Sequence, residues 1–212
     1  MSAARPRARA VPTRAERQQA TRAALLRAAT RSICEHGMDG ASIDQIAAEA
    51  GYTKGAFYAN FASKEELFLV ILDEKFAAEI ARLEATMIGS ERPVEQARHA
   101  AEDFLAYVDS DPEWPRLYQE FATHAARDEA FRAEFAARQR ALRARLAAVF
   151  AGWTDELGVD PALAPADVAA MTAFMVDGFL LQRIIDPELD ERLYGSMFQV
   201  FLTGLATMSG LK

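Results

Sequence analysis

Apolar residues recur at helical spacing along most of the chain. Between Arg14 and His36 small and apolar side chains fall three or four positions apart, which predicts a helix. Gly37 ends that helix, because glycine readily adopts the left-handed conformation that closes helices. Strands require alternation of apolar and polar positions, and no stretch rich in valine, isoleucine and threonine shows it. The pattern therefore predicts an all-α fold.

Two short helices joined by a glycine turn follow the first helix. Ser42 and Gln45 form a capping box, which predicts a helix of about eight residues ending at Ala50–Gly51. Thr53 then caps a second short helix over residues 54–60. Two short helices joined by such a tight turn predict a helix-turn-helix.

The rest of the chain reads as longer helices separated by proline- and glycine-containing breaks. A second capping box, Ser63 to Glu66, starts the first of them. We predict helices over residues 63–87, 93–108, 115–125, 128–157, 166–185 and 187–208. The domains predicted from this pattern are a disordered basic arm (1–13), a helix-turn-helix domain (14–62) and a C-terminal helical domain (63–212) whose residues 63–88 form a long connecting helix.

Charge is distributed unevenly along the chain. The net charge of −7 argues by itself against a nucleic-acid partner. Residues 1–64, however, hold ten Lys and Arg against five Asp and Glu, whereas the remainder holds fourteen against twenty-six. A basic end on an acidic body is expected when only that end meets phosphate. The arm arginines at positions 5, 7 and 9 either enter a minor groove or form a solvated tail without a role.

The start of the second short helix has side chains suited to a DNA groove. The major groove admits one helix, whose first residues approach the base edges and must donate hydrogen bonds or be small. Residues 53–56 (Thr-Lys-Gly-Ala) meet this requirement. The Tyr58 hydroxyl is placed to reach a phosphate oxygen and Lys64 to meet the DNA backbone, while Phe57 and Phe61 point inward.

The segment Thr21–Leu72 resembles the DNA-binding domain of the TetR family of bacterial repressors. The resemblance rests on Ile33 with Gly37, on the run Gly40–Ala47, on the run Ala50–Phe61 and on Ser63–Leu67. It is contiguous and covers roughly a quarter of the chain. It implies that the whole chain is a regulator that binds operator DNA as a homodimer and responds to a small molecule.

The same resemblance implies roles for individual residues. By it, Lys54, Gly55 and Ala56 occupy base-reading positions and Thr53 shares their surface. The implied phosphate contacts are Ser42, Tyr58, Lys64 and Asn60, the last standing where the family often has histidine. Two alternatives stay open, since Tyr58 also suits a half-buried core position and Lys64 an exposed helix start. Specificity would then depend on Lys54, on contacts with thymine methyls and on DNA shape.

The last two helices are apolar on more than one face, and a helix that is apolar all round is buried on both sides. One side can meet the chain's own core, so the other predicts a four-helix bundle across a two-fold axis. The alternative is burial within a larger monomeric bundle. The run Val176–Gln182 also resembles the penultimate helix of many TetR-like regulators. Two recognition helices on a dimer reach successive major grooves, which predicts a near-palindromic operator.

The middle helices predict a pocket for a mainly apolar or aromatic effector. The candidate lining residues are Phe104, Tyr107, Trp114, Tyr118, Phe121, Met171, Phe174 and Met175, with Tyr118, His124 and Asp177 as candidate polar anchors. The alternative is that these aromatic residues are ordinary core. Asp177 is unusual in its apolar run and, if buried, needs a hydrogen-bond partner, either a ligand or a neighbouring helix.

Other classes of function find little support. His36, His99 and His124 are scattered, so we expect no metal site, and no motif for a cofactor or a catalytic nucleophile is present. Cys34 is the single cysteine, which excludes an intrachain disulfide and fits a reducing cytoplasm. The richest apolar run, 168–181, contains Asp177, so we expect no membrane-spanning segment. Two hypotheses remain: a ligand-responsive DNA-binding repressor, and a helical ligand-binding or protein-interaction module whose helix-turn-helix no longer binds DNA.

Overall fold

The computed structural model describes residues 13–87, 93–157, 162–190 and 192–209, and within these ranges the chain forms helices and no strand. The all-α prediction is therefore confirmed. The helices are α1 (Arg14–Gly40), α2 (Ile43–Glu49), α3 (Lys54–Tyr58), α4 (Lys64–Met87), α5 (Pro93–Ser110), α6 (Trp114–Ala125), α7 (Glu129–Leu157), α8 (Pro165–Ile185) and α9 (Arg192–Met208). Residues 1–12 of the predicted arm and the predicted break at Gly89–Ser90 lie outside the described residues.

The chain divides into two compact units, the first ending at Phe68 and the second beginning at Leu69. The first unit contains α1, α2, α3 and the start of α4, with α2 packed on both α1 and α3. Its core is a set of fully or almost fully buried apolar side chains, which includes Leu25, Ala28, Ile33, Ile46, Phe57 and Phe61. Burial of a phenylalanine of this kind stabilises a fold by about 2 kcal/mol.

Capping interactions define the ends of the helices in the first unit. Thr13 starts α1 in a capping box with Glu16, a signal that the sequence interpretation missed. Gly37 has a φ of 72° and interrupts α1 as expected for a left-handed glycine. Ser42 caps α2 by accepting from the Gln45 N–H at 3.2 Å, but the Gln45 side chain accepts from the Ser42 hydroxyl rather than from its backbone N–H.

The second unit is a helical bundle in which α7 packs along α8, α5 packs along α9, and α6 packs on both α7 and α8. Its helix bounds agree closely with the predicted ones except at α9. That helix begins at Arg192 rather than at Pro187, because the Asp190 carboxylate accepts the Arg192 N–H at 3.0 Å and caps it there. The carboxylate of Asp186 accepts the Glu188 N–H in the preceding turn.

By length and composition alone α8 is long and apolar enough to cross a membrane, and 28% of its most apolar stretch is buried. The expectation that no segment spans a membrane therefore stays a prediction. The helix also carries Asp167, Asp177 and Arg183, and Arg183 pairs with Asp109 of α5 at 3.2 Å. Its exposed side chains include Met171, Phe174, Leu181, Ile184 and Ile185.

Gly51 makes the turn of the helix-turn-helix with a φ of 79°, and no atom lies within 4 Å of the place a Cβ would take. Gly51→Ala should therefore lower the free energy of unfolding through backbone strain alone, by about 1 kcal/mol. Gly51→Asn should cost less, because asparagine tolerates positive φ better. Urea unfolding measures both variants, and an alanine variant as stable as the parent chain would contradict this account of the turn.

Candidate nucleic-acid interface and effector cavity

The helix α3 is anchored by one buried side and leaves the other side open. Phe57 is completely buried and packs against the ring of Phe61 at 5.7 Å between centroids. At the turn, the Tyr52 N–H donates to the Ala47 carbonyl at 2.8 Å. Thr53 caps α3 by accepting from the Ala56 N–H at 3.2 Å. The orientation of α3 is thus set by packing and capping, and not by contacts of its outer face.

The side chains predicted to read bases lie on the open side of α3. Thr53, Lys54 and Gly55 are exposed and Ala56 is half-buried. Tyr58 is 52% exposed, so its ring is not part of the core, although it meets the edge of Phe57. The structure brings these five residues together on one accessible surface.

Lys54 is engaged by a carboxylate in this state. Its Nζ donates to Oδ2 of Asp44, on α2, at 2.9 Å, and both side chains are well exposed. The hydrogen bond and charge of Asp44 raise the pKa of Lys54 above its ordinary value. An exposed pair of this kind contributes little to stability. Lys54 is therefore free to exchange Asp44 for another acceptor at small cost.

The other predicted phosphate contacts serve the fold itself. The ammonium of Lys64 donates to the Met38 carbonyl at 3.1 Å and to the Ala41 carbonyl at 3.4 Å. The side-chain amide of Asn60 donates to the Ala56 carbonyl at 2.8 Å and is half-buried. Lys64 is therefore not simply an exposed residue at the start of a helix. Its ammonium points to backbone carbonyls that follow the break at Gly37 and donates hydrogen bonds to them.

The sequence interpretation did not identify Arg22, which helps to position this surface. Its guanidinium donates from Nη1 to the Asn60 carbonyl at 3.1 Å and lies 4.4 Å from the centroid of the Phe61 ring. It therefore ties the residues after α3 to α1. Its position one turn before the buried Leu25 and Leu26 is a weak signal, since an arginine there usually faces solvent.

The second unit contains a cavity bordered by α4, α5, α6, α7, α8 and α9. The empty space between its lining atoms is about 690 Å³, which includes the part open to solvent.

Four of the predicted effector-binding residues line this cavity: Phe104, Trp114, Tyr118 and Asp177. The other five lie elsewhere. Among them, Met171 and Phe174 are 44% and 66% exposed, and Phe121 is buried against Phe131. Tyr107 and Met175 are also absent from the lining, and so is the candidate anchor His124, which packs edge-on to Phe131.

The rotation of α8 explains the residues that lie outside the cavity. Its cavity face consists of Thr172, Ala173, Val176, Asp177 and Leu180, which recur at helical spacing. Side chains at positions 171 and 174 consequently point away from the cavity. Because α8 is apolar on both faces, its sequence alone does not distinguish the face that lines the cavity.

Asp177 has a partner on a neighbouring helix. The Tyr118 hydroxyl donates to its Oδ2 at 3.3 Å, and the Gln139 side-chain amide in turn donates to the Tyr118 hydroxyl. Burial raises the pKa of Asp177, and the hydrogen bond from Tyr118 opposes that effect. Burial also raises the pKa of Tyr118. The structural tie weighed for Asp177 is therefore present, and the same carboxylate lines the cavity.

Glu79 and Arg82 of α4 are cavity residues that the sequence interpretation missed. Burial raises the pKa of Glu79 to about 7, with Arg82 opposing and Asp177 reinforcing the shift. The Arg82 guanidinium lies 5.6 Å from the Phe104 ring centroid and 5.3 Å from that of Tyr107. The sequence did contain a signal for Glu79 and Arg82, because both lie close to the helical face that carries the buried Phe76 and Leu83.

Metal-binding and redox groups are sparse in the described parts of the chain. No group of three or more His, Cys, Asp or Glu side chains there could hold a metal ion. Cys34 is half-buried and forms no disulfide. The candidate sites are thus the exposed side of α3 in the first unit and a cavity with apolar and charged lining residues in the second.

Two families match adjoining stretches of the chain. Residues 25–71 match the family described as bacterial regulatory proteins, tetR family. Residues 72–206 match the family described as BetI-type transcriptional repressor, C-terminal. The second match alone covers more than half of the chain.

Individual relatives are more distant. The chain is 29% identical to the uncharacterized HTH-type transcriptional regulator YwcC of Bacillus subtilis, over 46% of this chain and 47% of that protein. It is 30% identical to the HTH-type transcriptional repressor AcnR of Corynebacterium efficiens, over 60% and 64%. The matched part thus covers less than two thirds of either relative. The transcriptional regulator FadR of Bacillus subtilis, solved in complex with stearoyl-CoA, shares the fold, with a TM-score of 0.69, 16% identity, and coverage of 90% of this chain and 99% of that one.

The raised pKa of Glu79 predicts a pH-dependent stability. Its pKa in the folded chain, about 7, lies above the ordinary 4.5, so the folded state retains a proton that the unfolded chain has lost. The stability contributed by this protonation is complete below about pH 4.5 and is lost as the pH rises to 7. Glu79→Gln cannot ionise and should reduce the loss of unfolding free energy between pH 5 and pH 8 by on the order of 2 kcal/mol.

Urea unfolding at the two pH values measures this difference. Glu188→Gln, at an exposed glutamate in the turn before α9, is the matched control and should leave the pH dependence unchanged. Identical pH dependence in the parent chain and in Glu79→Gln would contradict the burial of an ionisable group at this position.

Proposed function

The chain belongs to the TetR family of bacterial regulatory proteins, and we propose that it is a ligand-responsive repressor that binds a near-palindromic operator as a homodimer. The observation that carries this proposal is the exposed start of α3, where Thr53, Lys54 and Gly55 face solvent beside Tyr58. A helix held from behind by a buried phenylalanine, with small and hydrogen-bonding residues in front, suits the major groove.

Lys54 is the proposed base-reading side chain, and it must leave Asp44 to act. A lysine ammonium pairs well with the guanine O6 and N7 acceptors. Gly55 and Ala56 let the helix approach the bases closely, and Tyr58 donates to a phosphate. Ser42 adds a phosphate contact by redirecting its hydroxyl from Gln45, while Asn60 and Lys64 act mainly by holding α3 and the start of α4 in place.

The charge distribution supports DNA as the partner of the N-terminal region. Residues 1–64 carry a net charge of +5 in a chain whose total is −7. The acidic remainder disfavours non-specific contact of the rest of the chain with phosphate. Attraction by the basic region alone would orient the chain on the duplex before any base is read.

An unpartnered apolar stripe supports the homodimer. On α8 it comprises Met171, Phe174, Gly178, Leu181 and Ile185, all exposed and spaced three or four residues apart. On α9 the exposed Leu193, Val200, Gly204 and Met208 follow one another at intervals of seven, four and four residues, which also places them along one side of the helix. A second copy of the chain would bury both stripes in a four-helix bundle. The two glycines permit close approach, because no atom lies within 4 Å of the Cβ position at either.

The cavity supports the effector. Its lining combines aromatic and aliphatic side chains with a few polar groups, as ligand sites do. FadR, which shares the fold, was solved with stearoyl-CoA bound. An effector that fits one arrangement of the helices better than another favours that arrangement. It shifts the protein toward that arrangement by its difference in affinity for the two states.

DNA binding predicts a strong salt dependence and opposite effects of two substitutions. Binding to random duplex, followed by fluorescence anisotropy, should weaken clearly as salt is raised, because phosphate contacts release counterions.

Asp44→Asn should tighten binding by removing a negative charge and releasing Lys54. Lys54→Ala should relax preference at one or two base pairs of a selected operator, at a cost of about 1–3 kcal/mol for the preferred base.

Glu49→Gln is the matched control for Asp44→Asn, because it also removes one acidic charge from α2, where Glu49 pairs with Arg31 at 2.5 Å. Its effect should be smaller. A flat salt response in the parent chain would instead support a ligand-binding or interaction module with an idle helix-turn-helix.

The dimer predicts sensitivity to charge within the apolar stripe. Phe174→Glu should give a monomer at micromolar concentration, because it places a carboxylate where the partner's apolar side chains are expected. Phe174→Leu should stay dimeric. Sedimentation velocity without detergent distinguishes these states, and a monomeric parent chain or a dimeric Phe174→Glu variant would overturn the proposed interface.

A further inference from the structure

Arg82 is a half-buried arginine for which no ion pair is found within the described parts of the chain. Among the described residues nothing accepts a hydrogen bond from its Nε or Nη1, and both atoms are inaccessible to solvent. The guanidinium lies over the rings of Phe104 and Tyr107, which offer no acceptor of comparable strength. Arginine does not lose its proton in proteins, so it cannot escape this cost by becoming neutral.

The carboxyl groups of the cavity do not neutralise Arg82. Glu79 lies one turn away on the same helix, and the charge of Arg82 only partly offsets the burial that favours the protonated form of Glu79. Asp177 accepts a hydrogen bond from Tyr118, and the charge that offsets its burial is that of Arg143. The buried Tyr107 hydroxyl also lacks a partner among the described residues.

We propose that the cavity binds an effector with a carboxylate group, held by the guanidinium of Arg82, and with an apolar body that lies among Phe104, Tyr194, Leu142 and Leu146. This inference rests on the proposed function, since it identifies the chemical class of the effector. Nη1 and Nη2 of an arginine form one edge that matches the two oxygens of a carboxylate, and Nε and Nη2 form the other. The hydroxyl of protonated Glu79 supplies a further donor.

The apolar part of the cavity suits the rest of such a molecule. Tyr194 is buried between Phe104 and Phe179, with ring centroids 4.8 Å apart on each side. Leu142 and Leu146 of α7, together with Phe198 of α9, complete an apolar wall. A cationic ligand is disfavoured, because it would place a second positive charge beside an arginine that already lacks a counterion.

Proton uptake is expected to accompany binding. A carboxylate bound beside Glu79 further stabilises its protonated form, because two like charges close together are unfavourable. The affinity for the carboxylate should therefore fall as the pH rises above about 7. A cationic ligand would show the opposite dependence.

The test uses the full chain without DNA and three sets of isosteric probes that differ only in the head group. Each set has a carboxylate, its neutral amide and its cationic counterpart: benzoate with benzamide and benzamidine, 4-phenylbutyrate with its amide and amine, and decanoate with its amide and amine. Trp114 lines the cavity, so its fluorescence reports binding, and calorimetry at pH 6 and pH 8 reports the proton.

At least one carboxylate should bind at least about tenfold more tightly than its amide and its cationic counterpart. Arg82→Met should abolish that preference without changing the affinity for the amide. Arg82→Lys should retain part of it. Tighter binding of the cation, no binding of any carboxylate, or an unchanged preference in Arg82→Met would each overturn the proposal.

A measurement without any ligand separates a binding role from a structural one. Arg82→Met removes an uncompensated buried charge and keeps an apolar side chain over the two rings, so its thermal midpoint should equal or exceed that of the parent chain. A clear fall in the midpoint would make Arg82 a structural residue. If the parent chain does not bind DNA, the proposed function is contradicted. Carboxylate binding is measured without DNA, so its outcome does not depend on that result.

Discussion

A five-residue helix has to bury one face in order to exist. Isolated helices of this length are unstable in water, so α3 depends on the burial of Phe57 and Phe61 and on its cap at Thr53. Arg22 reinforces this by holding the residues that follow α3 against α1. Apart from the cap at Thr53, the anchoring lies on one side, and Lys54 on the open side makes only an exposed ion pair with Asp44.

The second unit places charge inside an apolar bundle. Glu79, Arg82 and Asp177 all line one cavity, where an ionised group without a partner is costly. Asp177 accepts a hydrogen bond from the Tyr118 hydroxyl, burial shifts Glu79 toward its neutral form, and no acceptor within the described parts of the chain reaches Nε or Nη1 of Arg82. Native proteins satisfy most buried polar groups, so an arginine left in this way points to a group that is bound only in another state.

One helix, α8, serves two surfaces. Its cavity face includes Thr172, Val176 and Asp177, and its exposed face includes Phe174 and Gly178. Because both faces are mainly apolar, α8 has the composition of a helix buried on all sides while much of it is exposed in a single chain. A change in the cavity face and a change in the proposed subunit contact would thus involve the same helix.

The sequence by itself determined the helices and most of their ends, because capping and turn formation depend on residues a few positions apart; the start of α9 at Arg192 is an exception. Gly37 and Gly51 have the positive φ their positions required, and Ser42 and Thr53 cap the helices they precede. The exposed surface of α3 also followed from the sequence, through the position of Phe57.

Only the tertiary structure decided which face of each long helix lines the cavity, since that choice depends on neighbours far away in the chain. It placed Phe104, Trp114, Tyr118 and Asp177 in the cavity and left Met171, Phe174, Met175, Tyr107 and Phe121 outside it. It also turned Lys64 onto backbone carbonyls and brought Glu79 and Arg82 inside. A helical pattern defines a stripe of side chains, but what faces that stripe is a property of the packed chain.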